Sequence, residues 1–266
     1  MKEKSVAYKN WLTLNGASSS TIDMYISYYK RFIKECPVDK LDQDNLNAFL
    51  LSLKNKYSKS TYNFNIAMIK SFFKFKKIEL ELPKFSKTEK KLPEYITEKF
   101  LDDKLLPMVE STCKNIIPIK TVITFMFYTG IRVSEIDELK RKDIDLEKKK
   151  AKIFVSKTNS ERIVFFNEKT RNMLEILFKL VPEKENAFCL SSSSVQNIFQ
   201  RLSNHFPDVN LHPHLLRHSF SVYFLEKGGD LLTLKELLGH SSINSTMRYA
   251  QLNTRQLQDK YNKFIK

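Results

Sequence analysis

The segment HLLRH (214–218) carries two side chains suited to a phosphate site. On a helix His214 and Arg217 lie three apart and share a face, while Leu215 and Leu216 turn toward a core. A guanidinium offers planar, paired donors that match phosphate oxygens, and a neighbouring imidazole adds a hydrogen bond or moves a proton. For two such residues in isolation, an ordinary surface pair is the alternative reading. Other groups accumulate along the chain. TGIRVSE (129–135) places Arg132 just beyond an apolar run, with Glu135 three residues on and able to orient it. Lys157 lies between two strand-like runs, where a flexible ammonium reaches a site from the side. His240 follows Gly239, and STMRY (245–249) brings Tyr249 into a polar segment near the chain end.

All five histidines (205, 212, 214, 218 and 240) fall in the last 62 residues, which raises a metal site. The spacings argue against one. There is no HExxH, no CxxC, and Cys189 stands alone. No metal is expected.

The elements that must hold these groups are mostly helices. In 19–36 the apolar residues Ile22, Tyr25, Ile26, Tyr29, Phe32 and Ile33 recur at spacings of three and four, and Pro37 follows. Leu46, Phe49, Leu50 and Leu53 repeat the pattern. A third run turns Ile66, Ile69, Phe72 and Phe73 inward and sets Lys70, Lys74, Lys76 and Lys77 near its C-terminal end, where lysines suit both the helix dipole and phosphates. For each lysine alone a solvated face is the alternative. Further on, 119–128 is almost wholly apolar and reads as a buried helix. AKIFV (151–155) and RIVFF (162–166) read as strands of a hairpin. Helices are expected again over 170–180, 194–206, 213–227 and 232–239.

Composition sets the class. The 266 residues include 45 Lys/Arg against 30 Asp/Glu, a net charge of +15 that points to a polyanionic partner. Residues 1–90 hold 17 Lys/Arg and 9 Asp/Glu, a net +8, so the first third carries over half of the excess. Hydrophobic residues at 42% are ample for a packed core and exclude a disordered basic tail. Five glycines and no P-loop or GxGxxG exclude a glycine-rich nucleotide fold. Three widely spaced cysteines form no disulfide framework, and no apolar run is long enough for a signal peptide or membrane span, so a cytoplasmic protein is expected. The segment 79–98, with Pro83 and Pro93 around a basic cluster, reads as an extended linker.

Taken in order, TGIRVSE, VSKTNSERIVFF (155–166), HPHLLRHSF (212–220) and LLGHSSINSTMRY (237–249) resemble the tyrosine recombinases of the phage-integrase family, specifically the short Xer-type members. STIDMYISYYKRF and STYNFNIAMIKSFFKF extend the resemblance to the helices of that family's core-binding domain. The implied fold is mainly α in two domains. A helical, SAM-like core-binding DNA domain takes 1–80 and a linker 81–97. A catalytic domain over 98–266 is mostly helical with a small antiparallel sheet. The chain then starts directly on the core-binding helices, without the arm-binding domain of larger integrases.

The resemblance implies that Tyr249 attacks a DNA phosphodiester and forms a 3′-phosphotyrosyl link. It makes Arg132 and Arg217 the clamp on the scissile phosphate, His214 a general base or hydrogen-bond partner, His240 a phosphate donor, and Lys157 the general acid on the leaving 5′ oxygen. Glu135 would position Arg132 or a neighbouring catalytic group. No cofactor is needed. The implied partner is double-stranded DNA, held by a dimer at each site and a homotetramer on synapsed sites. A tail containing Leu252, Leu257, Tyr261 and Phe264 would dock on a neighbouring protomer or pack on its own domain. A DNA translocase or a paralogous recombinase would be a further partner. Ser219 stands where a threonine is common and Gln251 where a histidine is common; neither removes a catalytic group. The implied task is chromosome-dimer or plasmid resolution, with a mobile-element integrase as the alternative within the same chemistry. A type IB topoisomerase, a non-catalytic DNA-binding protein and a metal-dependent nuclease are the other readings.

Overall fold

The structure is a computed structural model that describes residues 2–37, 41–87, 93–155, 160–182, 185–240 and 242–249. Lys157 and the tail residues Leu252, Leu257, Tyr261 and Phe264 lie outside the described residues. The chain divides into two compact units, Met1–Lys90 and Lys91–Lys266.

The first unit is four helices: α1 (Lys2–Leu14), α2 (Ser19–Glu35), α3 (Gln43–Lys56) and α4 (Lys59–Lys76). Each of the last three starts on a side-chain cap, with Ser18, Asp42 and Ser58 accepting from the backbone N–H of Thr21, Asn45 and Thr61. Helix α2 stops at Cys36, before Pro37. The core is rich in rings: Phe72 packs on Tyr8, Tyr29 and Phe32, and Phe32 meets Phe49 edge-on at 5.4 Å. Burying each such ring contributes on the order of 2 kcal/mol. Helix α1 escapes sequence reading because its first turn is charged and, among its described side chains, Tyr8 and Leu12 alone are buried. Lys70, Lys74 and Lys77 are exposed. Lys70 and Lys74, together with Lys84, rim a groove floored by Ile66, Phe73 and Leu80. Lys76 instead lays its ammonium over the Phe75 ring, 5.1 Å from the centroid.

The second unit begins with one continuous helical run: α5 (Glu98–Phe100), a π-helical stretch (Leu101–Leu105) and α6 (Leu106–Thr112). Helix α7 (Ile116–Thr129) is almost wholly apolar and is buried at every position from Thr121 to Thr129. Three strands, β1 (Ile144–Asp145), β2 (Lys150–Val155) and β3 (Ser160–Phe165), form an antiparallel sheet in the order β1-β2-β3. Strand β1 is two residues long, too short to leave a periodic signal. Along β2 and β3, Ala151, Ile153 and Val164 face the core. The remaining helices are α8 (Glu168–Leu180), α9 (Ser192–Ser203), α10 (Pro213–Glu226) and α11 (Leu231–Leu238).

Two bonds tie the start of this unit to its inner helices. Ser219 Oγ donates to Leu215 O and accepts from the N–H of Ile96, so the segment entering the unit is anchored to the helix that carries HLLRH. Tyr128, at the end of α7, donates to Glu98 at 2.5 Å, which places its hydroxyl in a structural bond. The fold is therefore mainly α with one small antiparallel sheet. No helix among the described residues is long and apolar enough to cross a membrane.

Candidate active site

Helix α7 ends on Gly130 in the left-handed conformation, with φ 64°. A Cβ there would lie 2.4 Å from Phe220 Cδ1, so both the dihedral and the packing of α10 on α7 require glycine. The turn frees the Gly130 carbonyl, and Arg217 on α10 donates to it through Nη1 at 2.6 Å. Helix α11 also ends on a left-handed glycine, Gly239 at φ 62°. The unpaired carbonyls of its last turn each receive a different arginine. Arg162 Nε donates to Leu237 O at 2.9 Å, Arg217 Nη2 to Leu238 O at 2.7 Å, and Arg132 Nη2 approaches Gly239 O at 3.5 Å. A helix C-terminus carries partial negative charge and lacks donors of its own, so it makes a natural rack for guanidinium groups.

Glu135 completes the rack. It sits 6% exposed in a 3₁₀ turn (Val133–Ile136) and caps that turn by accepting from the Arg132 N–H at 2.8 Å. Its two oxygens take a paired bond from Arg162 (2.8 and 2.7 Å), and Oε1 also accepts from Arg132 Nη1 at 3.0 Å. Burial alone would raise its pKa; the bonds and charges of Arg162 and Arg132 outweigh that and hold it below the usual carboxylate range. One carboxylate therefore pairs with two guanidiniums while the third, Arg217, is held by carbonyls alone, leaving a surplus of positive charge that suits an anion. Arg217 is 4% exposed, and burial followed by repulsion from Arg132 pulls its pKa down to about 9, still charged at neutral pH.

Replacing Glu135 by Gln is expected to destabilise the fold by about 3 kcal/mol, because it leaves the Arg162 guanidinium, 9% exposed, without its paired counter-charge. Urea unfolding checks this; an unchanged midpoint would show that Glu135 is not the essential partner of Arg162.

The nucleophile candidate is held by imidazoles. Tyr249 is 2% exposed and its Oη lies 2.6 Å from His218 Nδ1. His240 Nδ1 lies 2.9 Å from the hydroxyl of Thr246, whose carbonyl accepts the Tyr249 N–H. His214 is exposed on α10, one turn before His218, with the two rings 6.3 Å apart. His212 caps α10, its Nδ1 accepting from the Leu215 N–H at 3.1 Å. The structure thus gathers Arg132, Glu135, Arg217, His240 and Tyr249 around α10 and the end of α11. It also adds three residues for which the sequence reading gave no role. Arg162 had a signal available, an arginine on the strand pair whose neighbours alternate with the core. His218 and Thr246 gave no signal beyond lying inside the motifs.

Burial, then nearby cations, pulls both His218 and His240 down to about 4. Both are neutral when folded and near 6.5 when unfolded, so the unfolded state binds the extra protons between those values. Stability is therefore complete above about pH 7 and falls as pH drops toward about 4.5, by on the order of 2–4 kcal/mol for the pair. Urea midpoints across that window test the sign; a flat or rising midpoint on acidification contradicts it.

No group of three or more His, Cys, Asp or Glu among the described residues could hold a metal ion. The phage integrase family model matches residues 99–256, and the family's N-terminal SAM-like domain model matches residues 7–80. The chain belongs to the phage integrase family. Among curated relatives, tyrosine recombinase XerA of Saccharolobus solfataricus is 29% identical, covering 96% of this chain and 90% of that protein. Tyrosine recombinase XerC of Staphylococcus epidermidis is 31% identical, covering 83% and 79%. Among solved structures, XerH site-specific recombinase in a post-cleavage complex with palindromic difH substrate has a TM-score of 0.72 at 20% identity, covering 92% of this chain and 80% of that one. A lambda integrase dimer bound to a COC′ core site has a TM-score of 0.73 at 16% identity, covering 91% and 96%. The chain is a site-specific tyrosine recombinase of the Xer type, and the α11 rack lies within the part matched as phage integrase.

Proposed function

We propose that this recombinase cuts and rejoins specific duplex DNA through a 3′-phosphotyrosyl link on Tyr249. The observation that carries the reading is the arginine rack. Three guanidiniums share one helix terminus, two of them also share one carboxylate, and the third, Arg217, acts on the phenol of Tyr249, which supplies preorganised positive charge for a phosphodiester in transition. Arg132 and Arg217 clamp the non-bridging oxygens. Arg162 and Glu135 are positioning residues that hold Arg132 in place. With the Thr246 hydroxyl donating to Nδ1, His240 keeps its proton on Nε2 as a phosphate donor. His214, exposed on the same helix, adds a second imidazole. Lys157 protonates the leaving 5′ oxygen. The stored phosphotyrosyl bond drives rejoining, so neither ATP nor metal takes part.

In this reading residues 1–80 form the core-binding DNA domain, 81–97 the linker and 98–266 the catalytic domain. Lys70, Lys74, Lys76 and Lys77 meet backbone phosphates, with Lys76 the least available because its ammonium rests on Phe75. Two protomers occupy each site and four a synapse, exchanging strands through a Holliday junction. The Xer names of the curated relatives support chromosome-dimer or plasmid resolution as the task and the cytoplasm as its place.

The test is incubation in EDTA with nicked suicide duplexes drawn from the gene's own locus and the replication-terminus region. A denaturation-resistant adduct whose labelled peptide contains Tyr249 is the expected result. An adduct on another residue, or cleavage that EDTA abolishes, would remove the proposal.

A further inference from the structure

The proton on the phenol of Tyr249 must go somewhere when the oxygen attacks phosphorus. The group in contact with that oxygen is His218, at 2.6 Å through Nδ1, whereas His214 sits one turn away and exposed. We propose that His218 is the general base of the cleavage step, accepting the phenolic proton of Tyr249 at Nδ1. The inference rests on the assignment of Tyr249 as nucleophile. In the step, the Tyr249 Oη–P bond forms as the P–O5′ bond breaks. The phenolic proton passes to His218 Nδ1, and the leaving 5′ oxygen takes its proton from Lys157. Rejoining runs the same transfers backward, with His218 returning its proton to the phenol.

Three observations support this beyond proximity. The Tyr249 ring is buried, so bulk water does not compete for the proton. Burial raises the pKa of the phenol above its ordinary value, so its proton leaves only to an acceptor in contact, while the charges of Arg248 and Arg217 favour the phenolate once it has left. The charged and titratable groups around His218 also make its basicity respond to DNA. Burial first, then Arg248, His214, His212 and Arg217, keep the imidazole neutral and a poor base in the free protein, near 4. A phosphodiester seated on Arg132 and Arg217 neutralises part of that positive field, so His218 becomes more basic when substrate arrives. The free enzyme is thereby kept from ionising its nucleophile, and the bound enzyme is enabled to do so.

The test uses the full chain and the nicked duplex that traps the wild-type adduct, in EDTA under single-turnover conditions. His218→Asn keeps an acceptor where Nδ1 stood and takes up no proton. Its adduct formation is expected to slow about 100-fold at about pH 7, with DNA affinity unchanged. The deficit is expected to narrow toward about pH 10, where hydroxide ionises the phenol directly. His218→Ala is expected to regain rate with added imidazole. Sulfur in place of the bridging 5′ oxygen, a better leaving group, is expected to leave the His218→Asn deficit intact, because the defect lies at the nucleophile. In the DNA-free wild type, ¹⁵N spectra should place the ring proton of His218 on Nε2. Wild-type rates in His218→Asn, a deficit constant with pH, or a proton on Nδ1 would each overturn the proposal. If Tyr249→Phe still forms the adduct, the nucleophile assignment itself falls, which is a separate outcome.

Discussion

Tyr249→Phe is expected to abolish the covalent adduct, by a factor of at least ~10⁴, while DNA affinity stays within about twofold. The change removes one oxygen and nothing else: the ring still fills the site among Phe220, Val222, Leu225, Leu234 and Leu238. The lost hydrogen bond to His218 costs about 1 kcal/mol, too little to unfold the unit. Binding is expected to survive because affinity comes from many lysine and arginine contacts with phosphates rather than from one phenol. Denaturing gels read the adduct and gel shifts read affinity. An adduct at the wild-type rate would move the nucleophile to another residue.

Arg217→Ala carries the second large effect, and it acts in two ways. The guanidinium is the shared donor to Gly130 O at the end of α7 and Leu238 O at the end of α11. Removing it leaves two buried carbonyls unpaired and a void between three helices, a loss on the order of 3 kcal/mol. It also removes half of the proposed clamp, which should slow cleavage by about 10³. Arg217→Lys separates the two contributions. An ammonium keeps the charge and fills most of the void but cannot span both carbonyls and a phosphate in one plane. Thermal unfolding is therefore expected to recover toward wild type in Arg217→Lys, while adduct formation stays at least tenfold down. Full strand exchange by Arg217→Ala would show that the reaction does not use this side chain.

The Gly130 and Gly239 turns explain why the clamp depends on so few side chains. Each glycine ends a helix in a conformation that leaves carbonyls facing the same space, and the arginines hold those ends together. Arg217 thus links the packing of α7, α10 and α11 to the geometry of the site. The same logic sets the expected effect of Glu135→Gln, since a carboxylate between Arg132 and Arg162 is what lets like charges stand side by side.

Helix identity was legible in the sequence wherever an apolar stripe persisted over three turns, as in α2, α4, α8 and α9, because burial of one face is a local periodic constraint. The hairpin was legible from alternation, and residue type and order within motifs named Arg132, Arg217, His240 and Tyr249 as candidates. What local pattern could not supply was which atoms meet. That His218 rather than His214 touches the phenol depends on how α10 lies against the turn carrying Tyr249. That Arg162 shares Glu135 with Arg132 depends on β3 passing the end of α11, 75 residues further along the chain. Helix α1 and the two-residue β1 were hidden because their stability comes from neighbours rather than from their own periodicity. Local pattern was enough for most of the elements, for the charge and for the reactive residue types. Their partners came from packing, because hydrogen bonds and buried ion pairs are set by distances across the fold.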